Sequence, residues 1–173
     1  MKNLIIFLIL MLCNSSIFAH GPTRQKVSEK IIINASVDKV WSVIKDFHHM
    51  NWHPMVQEIK GSGDNLLGST RILILESGGV IEELLEKYDE VEMKYFYRII
   101  NVDVDVLPVS NYSSWVMVKA KDKNTSEVIW KGAFYRGYPN NDPPEALSDK
   151  AAKTAITKMY QSGLNALKKA IEN

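Results

Sequence analysis

The sequence predicts an α+β helix-grip fold: a curved antiparallel sheet of six to seven strands around a long C-terminal helix, with a short helix after the first strand. Two patterns predict it. Strand-like segments follow one another through turn residues with no helices between them, which means an antiparallel sheet. The end of the chain then changes period, with Ala152, Ala155, Ile156, Met159, Tyr160, Gly163, Leu167 and Ile171 recurring every three or four residues. That is one apolar stripe on a helix of about 25 residues. A lone helix of that length needs a sheet to bury its stripe, and a sheet curled around a helix characteristically leaves a cavity between the two.

Taken in order, Val27 to Ile33 reads as the first strand, ending in the β-branched run Ile31-Ile32-Ile33. Ser36 is a good N-cap and Asp38 suits the positive end of a helix dipole. Val37, Val40, Trp41 and Ile44 fall at helical spacing, so a short helix runs to about Phe47 and has ended by Pro54. Strands are expected at Met55–Lys60, Thr70–Glu76, Val80–Lys87, Met93–Val106, Asn111–Ala120 and Glu127–Tyr135. Gly78-Gly79 is a hairpin signal between the second and third of these. Strict alternation over Val102-Asp103-Val104-Asp105-Val106 gives that strand one wet face. Ala152, Ala155 and Gly163 are small enough to let the sheet approach the last helix closely.

The ends and composition bound the function. Lys2 precedes an unbroken apolar run from Leu4 to Cys13, and the stretch closes on Ile17-Phe18-Ala19. This is the pattern of a secretory signal peptide over residues 1–19, cut after Ala19. It is too short for a spanning helix, which needs about 20 apolar residues. The processed chain, a single domain over residues 20–173, has no membrane span and is expected in the periplasm. Cys13, the only cysteine, goes with the leader, which excludes disulfides, thiolate metal sites and a cysteine nucleophile. Removing Lys2 leaves 20 basic against 20 acidic residues. No basic stripe or arginine cluster appears, which argues against nucleic acid as a partner.

The string Val40-Trp41, Asp46-Phe47, Trp52-His53-Pro54, continued by Gly68-Ser69-Thr70-Arg71 and Ile81-Glu82-Glu83, resembles the SRPBCC superfamily of polyketide cyclases, START-type lipid carriers and plant hormone receptors. A narrower resemblance lies in Val106-Leu107-Pro108-Val109-Ser110-Asn111-Tyr112-Ser113-Ser114 and in Trp130-Lys131-Gly132-Ala133-Phe134-Tyr135-Arg136-Gly137-Tyr138-Pro139-Asn140-Asn141-Asp142-Pro143-Pro144. With the His20-Gly21-Pro22-Thr23 start, these strings are similar to the MxaD-type proteins of methylotrophic bacteria. That resemblance implies a periplasmic protein working beside methanol dehydrogenase or its cytochrome c acceptor and supplies no catalytic mechanism; the leading reading is a non-enzymatic accessory protein. It implies no cofactor and carries over no active-site residues.

Aromatic and charged residues of the hairpins supply the cavity candidates: Trp52, His53, Arg71, Tyr97, Trp115, Trp130 and Phe134. They would line a mostly apolar pocket for a small apolar ligand, and packing of sheet on helix is the competing role for each. A hairpin closing at Gly78-Gly79 sets Arg71 near Glu86 as a solvent-facing pair; an inward Arg71 would instead anchor a carboxylate. A cyclase- or hydratase-like enzyme would need a titratable group in the cavity, and Glu82, Glu83, Tyr97 and Arg98 are available, although alternation alone leaves their facing open. His48, His49 and His53 cluster without the spacing of a zinc site, so no metal is expected. Nucleophile elbows and glycine-rich phosphate loops are absent from the sequence. The loop from Tyr135 to Pro144 is the expected docking surface, with Arg136, Tyr138, Asn140 and Asp142 as candidates, since Tyr and Arg are favoured anchors. The proline pair also suits the entry to the last helix.

Overall fold

The structure, a computed structural model, describes residues 21–61 and 63–173. The expected leader over residues 1–19 lies outside them. Seven strands form one sheet: β1 (Gln25–Ile33), β2 (Val56–Lys60), β3 (Thr70–Leu75), β4 (Val80–Asp89), β5 (Lys94–Val102), β6 (Val109–Asp122) and β7 (Thr125–Arg136). Their order is β1-β7-β6-β5-β4-β3-β2, and every neighbouring pair is antiparallel. The first strand therefore closes on the last, Gln25 opposite Phe134 through Ile33 opposite Ser126. The chain between β1 and β2 has to cross from one edge of the sheet to the other.

That crossing holds the short helix α1 (Val37–Ile44) and a strap over residues 45–55. Ser36 caps α1, its hydroxyl accepting from the Lys39 N–H at 3.4 Å. Val40, Trp41 and Ile44 are buried as their spacing predicts. The helix ends three residues before Phe47, whose own N–H is taken by the Asn65 side chain at 2.8 Å. After β7, Pro143-Pro144 lead through a single 3₁₀ turn (Glu145–Leu147) into the long helix α2 (Asp149–Glu172), capped by Ser148. The predicted stripe is its buried face, with Ala152, Ile156, Tyr160, Gly163, Leu167 and Ile171 all inside.

One predicted strand end is corrected. The alternation over Val102 to Val106 continues no ladder: β5 stops at Val102. Asp103 accepts from Asp105 N through its side chain, and from Val106 N and Leu107 N through its carbonyl. A short acidic side chain that satisfies the backbone locally competes with strand pairing, and here it wins. Val104 and Val106 instead lie against Gly137 and Gly79, where an added Cβ would come within 2.9 Å and 2.4 Å of their side chains.

Two further glycines decide how closely α2 approaches the sheet. A Cβ at Gly132 on β7 would lie 2.3 Å from the Tyr160 hydroxyl, so the tyrosine reaches into the space a side chain would fill. A Cβ at Gly163 on α2 would lie 2.4 Å from His53 Cδ2 and 3.0 Å from Trp130 Cζ3. The stripe's small residue thus admits the strap's histidine as well as the sheet's tryptophan. Gly163→Ala should gain about 1 kcal/mol of helix propensity but lose about 1–3 kcal/mol by overpacking against His53. The expected outcome is a lower Tm in thermal unfolding; a rise would show that the ring shifts at no cost.

Candidate functional site

The space between sheet and helix is almost filled. A cavity of about 30 Å³ remains among Met50, Met55, Met159, Leu73, Leu75 and Ile81, with His53, Glu83, Tyr97 and Trp130 also on its wall. That is room for roughly two waters, whereas pockets for small organic ligands span about 300–1,000 Å³. Three of the sequence candidates (His53, Tyr97 and Trp130) do meet at this wall. Trp52 is half-buried beside it, edge-on to Trp130 at 6.1 Å.

Arg71 and Glu83 form the charged centre. The strands pair Arg71 with Glu83, so the expected level with Glu86 is corrected by three residues; the β3–β4 turn closes earlier, with Leu75 N donating to Gly79 O. Arg71 is 1% exposed and Glu83 4%, and Arg71 Nε donates to Glu83 Oε2 at 2.6 Å. Nη1 donates to the Phe47 carbonyl. The guanidinium lies 4.2 Å from the Phe47 ring centre and 5.3 Å from that of Tyr97, and Nη2 is buried without a hydrogen-bond partner. Burial raises the Glu83 carboxyl above the ordinary range, against the lowering pull of Arg71. Glu86, on the outer face, pairs with Arg98 at 2.7 Å.

His53 is held from both sides. Its Nδ1 accepts from Met55 N–H at 3.2 Å, which leaves Nε2–H to donate to the Met159 carbonyl at 3.1 Å on α2. Burial is the main cause that lowers its pKa from 6.5 to about 4, so the ring is neutral. His48 turns instead to the Thr70 carbonyl and His49 is exposed. Among the described residues no group of three or more His, Cys, Asp or Glu could hold a metal.

The tyrosines below complete the interior. Trp130 Nε1–H donates to Tyr97 Oη at 3.0 Å. Tyr97 meets Tyr112 at 3.3 Å, Tyr112 meets Tyr160 at 2.6 Å, and Tyr160 meets Ser114 Oγ at 2.9 Å. Ser114 bonds the Lys131 carbonyl at 3.0 Å. A carbonyl only accepts and an indole N–H only donates, so every proton in this chain is assigned: Trp130 to Tyr97, Tyr97 to Tyr112, Tyr112 to Tyr160, Tyr160 to Ser114, Ser114 to Lys131 O. Burial raises Tyr97, Tyr112 and Tyr160 above the ordinary phenol range, and Tyr95 to about 12. All four are neutral, and Tyr97, Tyr112 and Tyr160 each have their hydroxyl proton committed to a neighbour. Tyr112 and Ser114 were not singled out from sequence; their alternation on β6 with Val116 and Val118 is the signal that could have found them.

The remaining candidates go elsewhere. Phe134 is fully buried and stacks on Tyr112 at 6.2 Å, away from the cavity wall. Trp115 is on the outer face of the sheet against Phe96, ring centres 5.0 Å apart, because its register neighbours Ser114 and Val116 take the inward positions. Arg136 is 5% exposed. Its Nε donates to Tyr138 O, Nη2 to Asn140 O and Nη1 to Asp149. It clamps its own loop onto the start of α2. Tyr138 is half-buried, while Asn140 and Asp142 are exposed.

A seven-stranded sheet gripping one long helix, with its interior closed, defines a helix-grip domain. Residues 24–172 match the model of the polyketide cyclase/dehydrase and lipid transport family, and the chain belongs to that family. It is 31% identical to an uncharacterised protein from Bacillus thuringiensis, over 86% of this chain and 100% of that one, with a TM-score of 0.73. It is also 31% identical to the protein XoxI from Bacillus cereus, over 84% of this chain and 94% of the other, with a TM-score of 0.71. An aromatase/cyclase from Streptomyces sp. R1128 shares the fold at 16% identity and a TM-score of 0.68, over 87% and 94% of the two chains. No curated protein matches the chain.

Two outcomes follow from the buried charges. Arg71→Met should destabilise by about 3–5 kcal/mol, because Glu83 is left buried and unpaired. Arg71→Met with Glu83→Leu should recover all but about 1 kcal/mol, the Phe47 carbonyl having lost its donor; urea unfolding midpoints read both. Keeping His53 neutral contributes stability that is fully present above pH 6.5 and is lost as pH falls to about 4, on the order of 3 kcal/mol. In His53→Gln the acid limb of the stability–pH curve should be flatter by that amount.

Proposed function

We propose that this is an exported, non-catalytic accessory protein that acts by docking, working beside a methanol dehydrogenase or its cytochrome c acceptor in the periplasm. The observation that carries the non-catalytic half is the closed hydroxyl chain. A general acid or base has to exchange a proton with a substrate within hydrogen-bond reach, and here the protons of Tyr97, Tyr112, Tyr160 and Ser114 are committed to one another or to a carbonyl. His53 uses both ring nitrogens on backbone groups, and Glu83 is occupied by Arg71. The resemblance of Val106–Ser114 and Trp130–Pro144 to the MxaD-type proteins supports the physiological setting. The apolar leader pattern over residues 1–19 supports export.

A specific observation favours a second reading, a carrier for a small apolar ligand. Met50, Met55 and Met159 surround the 30 Å³ cavity, and methionine is the apolar side chain that repacks most readily. A ligand would have to displace them. An enzyme of the cyclase type is the third reading, for which Glu83 and Tyr97 would be the groups on the cavity wall.

Native mass spectrometry of the protein purified gently from its own host tests the proposal. The expected result is the bare mass of the processed chain, with an identified methanol dehydrogenase or cytochrome c in complex. A mass excess the size of a small organic molecule, lost on denaturation, would overturn the docking reading in favour of a carrier or an enzyme.

A further inference from the structure

The face of the sheet turned away from α2 carries a surface that the interior does not use. Cross-strand register sets Lys87 beside Phe96, Phe96 beside Trp115 and Trp115 beside Lys131. Lys87 Nζ lies 5.9 Å from the centres of both rings. In the next rank stand Ser113 and Ala133, with Lys26 alongside. These small side chains leave a groove of about 460 Å³ between Trp115 and Arg24. A second depression of about 260 Å³ shares Arg24 and Ser113 and extends to Tyr135.

Among the described residues no acidic residue lines the groove, and Glu86 on the same face is paired with Arg98. Arg24, Lys26, Lys87 and Lys131 form no ion pair among the described residues. No basic stripe is visible along the chain, because these residues come from β1, β4, β7 and the segment before β1, and only the register gathers them. Four cations around half-buried aromatic rings complement carboxylates, and Trp, Tyr and Arg are the side chains that dominate interface energies. An open sheet face lacks the concavity that buries a small ligand over most of its surface. Resting on the docking reading above, we infer that this outer face is the docking surface, and that its partner presents an acidic segment with an aromatic or aliphatic side chain that seats against Trp115.

The test uses the protein purified from its host and a fluorescein-labelled peptide alternating Glu with Phe. NMR should show the peptide shifting the Trp115 indole N–H and the amides of Ser28, Ser113 and Lys131. The affinity should weaken as salt is raised. Lys26→Glu with Lys131→Glu, and separately Trp115→Ala, should each raise the peptide Kd about tenfold or more, with circular dichroism unchanged. Unchanged affinity, shifts confined to other surfaces, or tighter binding of an oligodeoxythymidine than of the peptide would overturn the assignment. A dehydrogenase or cytochrome c that binds wild type and the double variant alike would also sink this face, while the docking reading stands. Peptide binding lost in the variants, with no dehydrogenase or cytochrome c binding wild type, would sink that partner and leave the face.

Discussion

The hydroxyl of Tyr160 reaches the sheet because residue 132 has no side chain. Much of the interior depends on that one close approach. Tyr160 is fully buried and its ring stacks on Trp130 at 4.6 Å. Its oxygen joins Tyr112 to Ser114, so the helix contributes the middle member of a polar chain whose other members lie on β5, β6 and β7. A buried network of this kind is stable only when each member is satisfied. With a side chain at residue 132 the helix would have to ride higher, and Tyr112 and Ser114 would both lose their bond to Tyr160.

A second constraint fastens the strap. Arg71 holds the Phe47 carbonyl from the sheet side, while His53 holds the Met159 carbonyl on the helix side. The segment between them carries Met50 to the cavity wall. Opening the cavity enough for a ligand therefore means breaking a hydrogen bond to the helix or exposing the Arg71–Glu83 pair. Both resist opening, and for different reasons: one is a hydrogen bond from an imidazole to a backbone carbonyl, the other a desolvated charge that water would have to reach.

The fold was legible because its periodicities are long and unambiguous: the stripe on α2 runs for six turns, and the strands are punctuated by turn residues. The site was harder to read, because several strands are apolar on both faces. In β3, Arg71, Leu73 and Leu75 point inward, yet Thr70, Ile72 and Ile74 make an equally plausible inner row. A shift of three residues in the following turn then moved the arginine's partner from Glu86 to Glu83. On β6 the large residues Trp115 and Met117 alternate with smaller Ser114 and Val116, and size suggests the wrong face. Trp130, one strand away, is inward by the same alternation. Arg136 reads from the sequence as a docking candidate because Tyr and Arg are favoured interface anchors; its role as a clamp depends on Asp149, thirteen residues on.

The hydroxyl chain starts at the indole of Trp130 and ends on the carbonyl of Lys131, the next residue along β7. It leaves a strand, crosses to the helix and returns to the same strand one peptide later. Its five bonds run head to tail, so their dipoles reinforce one another around that circuit. Reversing the direction would need an indole nitrogen to accept and an amide oxygen to donate, and neither does so. A proton passed along the hydroxyls would end on the Lys131 carbonyl, the last acceptor of the chain. The centre of this domain is therefore polarised in one direction, a fixed field inside an apolar shell.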